Sequence, residues 1–163
     1  MPGAERGDPA PRFFLDTNIL VYSFSGQDAA KRETSRALAC GAGACVSTQV
    51  LSELAHVLTR KFKVSAEEVR VRVSSIASSC EVITVTAAIV LDALRIVQRY
   101  GYGFFDSQII AAALAADASR LYSEDLHDRQ KIDGALTIRS PFRQALEQTG
   151  AAYRARRARQ RHG

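Results

Sequence analysis

Short apolar runs along the chain alternate with longer amphipathic ones. Arg12 to Leu15 reads as a strand, and Thr17 to Phe24 as a turn into a short helix. Gln27 to Cys40 has helical composition, with Ala29, Ala30, Ala37 and Leu38 set among charges, and Gly41 and Gly43 stop it. Ala44 to Val46 is a second strand, and Ser47 or Thr48 caps a helix that runs to Lys61. Ser65 starts another helix, with Glu67 and Glu68 in the first turn, where free N–H groups and the helix dipole favour acids. Glu81 to Val85 is rich in β-branched residues and reads as a third strand. Thr86 caps a helix to Tyr100, and Gly101–Tyr102–Gly103 separates it from a helix over Phe105 to Ala116. Leu121 and Tyr122 form a fourth strand, and Ala135 to Ile138 a fifth. Strands alternating with helices predict an α/β fold around a mainly parallel sheet of four to five strands. In such sheets ligands sit beyond the C-terminal strand ends, so a polar residue there counts as a candidate site residue.

The chain has 163 residues, 47% hydrophobic and 24% charged, as expected of one soluble domain with its own core. No apolar stretch approaches the roughly 20 residues that a membrane helix needs. Met1 to Pro11 holds three prolines and two glycines and lacks a signal-peptide pattern. It reads as a disordered leader to a domain spanning 12–150. A cytoplasmic protein without membrane contact is the expectation. Cys40, Cys45 and Cys80 are odd in number and lack CxxC spacing, so they are expected as buried reduced thiols. The formal charge is +5, and Ala151 to Gly163 holds five arginines and no acid, which accounts for the whole excess. This basic tail, 151–163, either attracts a phosphate backbone or acidic partner, or is a solvated end.

The acids carry the candidate chemistry. Asp16 directly follows the first strand and opens the triplet Asp16–Thr17–Asn18. Its ordinary role would be to cap the next helix. In the helix from Ser47 to Lys61, Val50, Leu51, Leu54, Val57 and Leu58 form one stripe; Glu53 falls on its flank, about 40° from Val57. Asp106 shares a helical face with Ile110 and Ala113, which predicts a buried carboxylate in need of partners. Asp125 follows the fourth strand through Ser123 and Glu124, repeating the strand-then-acid arrangement of Asp16, and Ser123 could orient a carboxylate or a water. Periodicity does not decide between Glu124 and Asp125. Carboxylates converging without compensation raise one another's pKa values, and a divalent cation removes that repulsion. A donor set of oxygens, with no His or Cys, favours Mg²⁺ or Mn²⁺ over Zn²⁺.

Four stretches, FFLDTNILVY (Phe13–Tyr22), STQVLSEL (Ser47–Leu54), YGYGFFDSQIIAAAL (Tyr100–Leu114) and LYSEDL (Leu121–Leu126), resemble the PIN-domain ribonucleases, and specifically the VapC toxins of bacterial toxin–antitoxin pairs. The resemblance rests on the order and spacing of all four motifs. It implies a PIN-like three-layer α/β/α fold, metal-dependent cleavage of RNA, inhibition by a cognate antitoxin and a homodimer. By position, Asp16, Glu53, Asp106 and Asp125 match the family's acidic quartet, Asn18 its polar helper, and Ser123 the small hydroxyl residue before the last acid. Phe105–Asp106–Ser107 departs mildly, since relatives often have Asp-Ala after the aromatic. The Arg-rich tail lies outside the resemblance.

The resulting expectation is hydrolysis of an RNA phosphodiester, with Asp16 and Asp106 holding the principal Mg²⁺ (Mn²⁺ as substitute) and Glu53 and Asp125 completing the site. Two other classes compete. A PIN-like RNA-binding or interaction module that no longer cuts need not bind metal. A phosphotransfer protein with Asp16 as nucleophile would need a well-placed lysine, and Lys131 after the Asp106 motif is poorly placed for it.

Overall fold

The computed structural model describes residues 10–143. The Arg-rich tail, and the leader up to residue 9, lie outside the described residues. Local chemistry explains where the elements start. The first strand, β1 (Phe13–Leu15), ends at Asp16, which caps α1 (Thr17–Phe24). Asp28 caps α2 (Ala29–Ala39) by accepting from Lys31 N at 3.0 Å. After β2 (Ala44–Ser47), Ser47 rather than Thr48 caps α3 (Thr48–Arg60), accepting from Val50 N at 3.2 Å. Ser65 caps α4 (Ala66–Ser79) through Glu68 N at 3.2 Å. The third strand, β3 (Glu81–Ile83), is shorter than its β-branched run, because Val85 N donates to Thr48 Oγ1 at 3.1 Å and not to a strand. Then follow α5 (Ala87–Tyr100), α6 (Phe104–Ala115), β4 (Arg120–Tyr122), β5 (Lys131–Ile132) and β6 (Leu136–Arg139).

The strands form one sheet in the order β3-β2-β1-β4-β6-β5. All neighbours are parallel except β5, which runs antiparallel to β6. The sheet thus has six strands and not the four to five expected. The extra one, β5, is two residues long, too short for any periodicity. Every residue of β2 is buried, so helices cover both faces of the sheet. Phe14, Leu15, Val46 and Leu121 fill the strand side of the core, and Ile19, Leu20, Leu54, Ile96 and Ile110 the helix side. Cys45 and Cys80 are buried as expected, and burial pushes the Cys80 thiol up to about 11. Cys40 is exposed, contrary to expectation, because it stands beyond the end of α2.

The topology places the site. The chain steps outward from β1 to β2 and β3, then crosses back to β4 on the other side of β1. The crevice between the C-terminal ends of β1 and β4 is therefore the topological switch point, where open α/β sheets bind ligands. Leu15 pairs with Tyr122, so the residues that follow, Asp16 and Ser123, stand side by side at its floor.

Candidate active site

Asp16 is 6% exposed, and both its oxygens are engaged. Oδ1 accepts from Thr17 N at 2.6 Å. Oδ2 accepts from Ser123 Oγ at 2.6 Å and Asn18 Nδ2 at 3.1 Å. Ser123 is itself buried, and its Oγ also accepts from the backbone N of Asp125 (3.3 Å) and of Leu126 (3.4 Å). One hydroxyl thus ties the turn after β4 to the carboxylate after β1. Asn18, one residue into α1, donates to Asp125 Oδ2 at 2.9 Å as well, and its Oδ1 accepts from Glu124 N at 3.3 Å.

Glu53 reaches the same place from α3. Its Oε2 accepts from Thr17 Oγ1 at 2.8 Å and its Oε1 from Gln49 Nε2 at 2.7 Å. Asp106 enters from the first turn of α6. Ile110 and Ala113, the apolar face expected beneath it, are buried, but so are all of residues 107–113, so α6 is buried on every side and that face is not distinguished. Asp106 is exposed, at the end where this buried helix emerges from the core. All four acids line one open pocket of about 430 Å³, together with Thr17, Asn18, Val21, Tyr22, Val57 and Lys61.

The electrostatics follow from this crowding. Asp16 is raised to about 6, first by burial, which outweighs the hydrogen bonds from Ser123 and Thr17, and further by the charges of Asp106 and Glu53. Asp106 is also raised, by partial desolvation and then by Asp125 and Glu53. Among the described residues, no Lys or Arg forms an ion pair with any of the four. The hydrogen-bond partners of Asp16, Glu53 and Asp125 are neutral hydroxyls, amides and backbone N–H groups. In donor type and charge the set fits a hard divalent cation. It is not a finished coordination shell: among the described residues, no three Asp, Glu, His or Cys side chains are gathered closely enough to hold an ion. Of the four, Asp106 and Asp125 are the exposed pair.

The PIN domain family matches residues 13–133, which include all four acids. The chain belongs to the PIN domain family. No curated protein sequence matches it. Solved structures similar to this PIN domain include a VapC toxin and VapBC complexes. Mycobacterium tuberculosis VapC20, a sarcin-ricin loop cleaving toxin, is 22% identical with a TM-score of 0.56, covering 69% of this chain and 89% of its own. DNA-bound VapBC from Salmonella typhimurium is 20% identical with a TM-score of 0.60, covering 80% and 98%. VapBC2 from Rickettsia felis, bound to a promoter DNA fragment, is 22% identical with a TM-score of 0.59, covering 78% and 97%.

Several residues around this PIN-domain pocket have roles that the sequence does not decide. Glu124 is one: its Oε2 accepts from Tyr22 Oη at 2.6 Å, and Lys31 Nζ pairs with its other oxygen. Burial pushes the Glu124 carboxyl up, but these two donors outweigh it and leave it lowered. Glu124 is thereby compensated where Asp125 is not. Lys31 also lies 4.5 Å from the Tyr22 ring centre and 4.9 Å from that of Phe142. Thr17, Tyr22 and Gln49 lie within the motif stretches and Lys31 outside them, but the role of each is set by a partner from another element or another turn. The histidines with described positions, His56 and His127, are exposed and do not line the pocket. Among the described residues, no helix is long and apolar enough to cross a membrane.

Proposed function

We propose that this PIN domain is a Mg²⁺- or Mn²⁺-dependent endoribonuclease of the VapC toxin type, hydrolysing RNA phosphodiester bonds and neutralised by a cognate antitoxin. One observation carries the reading: four carboxylates line one pocket at the switch point of the sheet, and among the described residues none of them is ion-paired with a lysine or arginine. Asp16 and Asp106 would hold the cation, with Glu53 and Asp125 completing the site. Asp125 is preferred to Glu124 because Tyr22 and Lys31 already occupy both Glu124 oxygens. A divalent metal supplies positive charge against the negative charge that builds on the phosphate oxygens, and eases deprotonation of the attacking water. The chain's own groups prepare the place. Ser123 and Thr17 N fix Asp16 by hydrogen bonds to its two oxygens. Asn18 holds the spacing between Asp16 and Asp125 by donating to both.

The relatives of known structure include toxin–antitoxin complexes, which supports an antitoxin as partner. A pocket rich in carboxylates suits an arginine of such a partner, paired bidentately. A homodimer belongs to the same reading; α5 presents Leu91 and Leu94 to solvent, 68% and 52% exposed.

The test is cleavage of a structured RNA with and without Mg²⁺ by wild type and Asp106→Asn. Wild type should cut only with the metal. The variant should lose more than the roughly 10–100-fold that loss of an outer hydrogen bond costs a metal site. Equal activity in the two proteins would reject the assignment. A calorimetric Mn²⁺ titration separates a nuclease from a module that no longer binds metal.

A further inference from the structure

Glu53 is held by two glutamines that stand beside the acids in their motifs, Gln49 directly and Gln108 through it. Its Oε1 accepts from Gln49 Nε2 at 2.7 Å, four residues earlier on α3. The same Nε2 donates to the Phe105 carbonyl at 3.1 Å, and Gln49 Oε1 accepts from Gln108 Nε2 at 2.6 Å. The sense of these bonds is forced. The Glu53 carboxylate and the Phe105 carbonyl can only accept, so the nitrogen of Gln49 must face them. Its oxygen is left for Gln108, whose nitrogen must donate. Gln108 is 8% exposed and stands on α6, two residues after Asp106. A buried amide on α6 thus sets the orientation of an amide on α3, which aims a donor at Glu53.

The line continues past Glu53. Thr17 Oγ1 donates to Glu53 Oε2 at 2.8 Å, and Thr17 N donates to Asp16 Oδ1 at 2.6 Å. Hydrogen bonds therefore run unbroken from α6 through α3 to the start of α1, the elements that bring Asp106, Glu53 and Asp16 to the pocket. A glutamate on a half-exposed helix flank otherwise samples many rotamers, and ordering it at the moment of binding costs affinity. We infer that Gln49 and Gln108 are positioning residues that pre-set Glu53 for a divalent cation; this rests on the metal-dependent reading above. The competing explanation is that a buried Gln108 merely needs a hydrogen-bond partner. That would make the pair matter for stability and not for metal.

Full-length wild type, Gln49→Met, Gln108→Met and the double variant are titrated with Mn²⁺ by calorimetry, and each is melted without metal. Each single variant should bind Mn²⁺ about tenfold more weakly, the scale of a lost outer-sphere hydrogen bond. Because Gln108 acts through Gln49, the double variant should bind no more weakly than Gln49→Met. Wild-type affinity in the single variants, even with lower melting temperatures, would overturn the inference and leave the nuclease reading standing. Independent, multiplying losses in the double variant would also overturn the relay. Wild type that does not bind Mn²⁺ at all would overturn both. Should Gln108→Met not fold, Gln49→Met still decides: unchanged Mn²⁺ affinity there refutes the role.

Discussion

Asp16 shows at a single residue what the site costs the fold. Its carboxyl is raised from 3.8 to about 6. The folded protein therefore holds that proton more tightly than the unfolded chain does. Without metal, this residue's contribution to stability falls as pH climbs from about 4 to about 6 and stays lost above, on the order of 3 kcal/mol in all. Asp106, also raised, acts in the same direction. Glu124 and Asp133 are lowered and act oppositely, stabilising above their unfolded pKa values and losing this as pH falls. The contribution of Asp16 is isolated by comparing wild type with Asp16→Asn in chelator. Denaturant titrations should show the variant gaining on wild type between pH 4 and 7. A constant difference would mean that Asp16 is not held in a desolvated site. Ser123→Ala tests the same carboxylate from its neighbour. It removes the 2.6 Å donor to Asp16 and the acceptor for two backbone N–H groups, and should cost about 1–3 kcal/mol. Asp16 and Ser123 were legible because both follow a strand whose apolar run is visible in the sequence. Thr17 was not, because its Glu53 partner is 36 residues away, and nothing in either stretch announces the other.

At the level of elements, a helix face is legible in the sequence where a cap and a stripe coincide, as in α3 and α5, and is lost where burial is complete, as in α6. The sequence of α6 suggested one apolar face with Asp106 on it. The structure surrounds α6 with protein, so no face is distinguished and the acid belongs to the helix end. A helix buried on all sides cannot be told from a striped one when its small residues, Ala111, Ala112 and Ala113, sit on every side. The hairpin of β5 and β6 is the other lesson. β6 is legible as Ala135 to Ile138, but the two residues of β5 cannot show alternation; Asp133–Gly134, with φ values of 49° and 72°, makes the turn between them. Asp133 also binds Arg95, Arg99 and Tyr100 of α5, so this turn anchors the sheet edge to a helix. Gly134→Ala forces a Cβ into a left-handed backbone and should cost about 1 kcal/mol. Mg²⁺-dependent cleavage should stay at the wild-type rate, because the turn does not line the pocket. Chemical denaturation and a cleavage assay on the same protein check both halves.

For the whole molecule, the proposed RNA substrate turns the distribution of charge into a prediction about binding. The five arginines after residue 150 account for the entire net charge of +5, leaving residues 1–150 near neutral. The pocket itself presents carboxylates, with Lys61 among its lining. Attraction over distance to a polyanion thus has one concentrated source in the sequence, the Arg-rich tail. If those arginines meet phosphates, each arginine–phosphate pair releases a counterion, and the salt dependence of binding to single-stranded RNA steepens by about 0.7 in the log–log slope per pair. Removing 151–163 should then raise KM at low salt and flatten the slope by that amount for every phosphate the tail had neutralised. The turnover rate at saturation should not change, since the tail supplies none of the four acids. The measurement is KM for a single-stranded substrate across a salt series, for the full chain and the truncation. Parallel slopes would make the tail a solvated end, and RNA capture would then have to come from the folded domain.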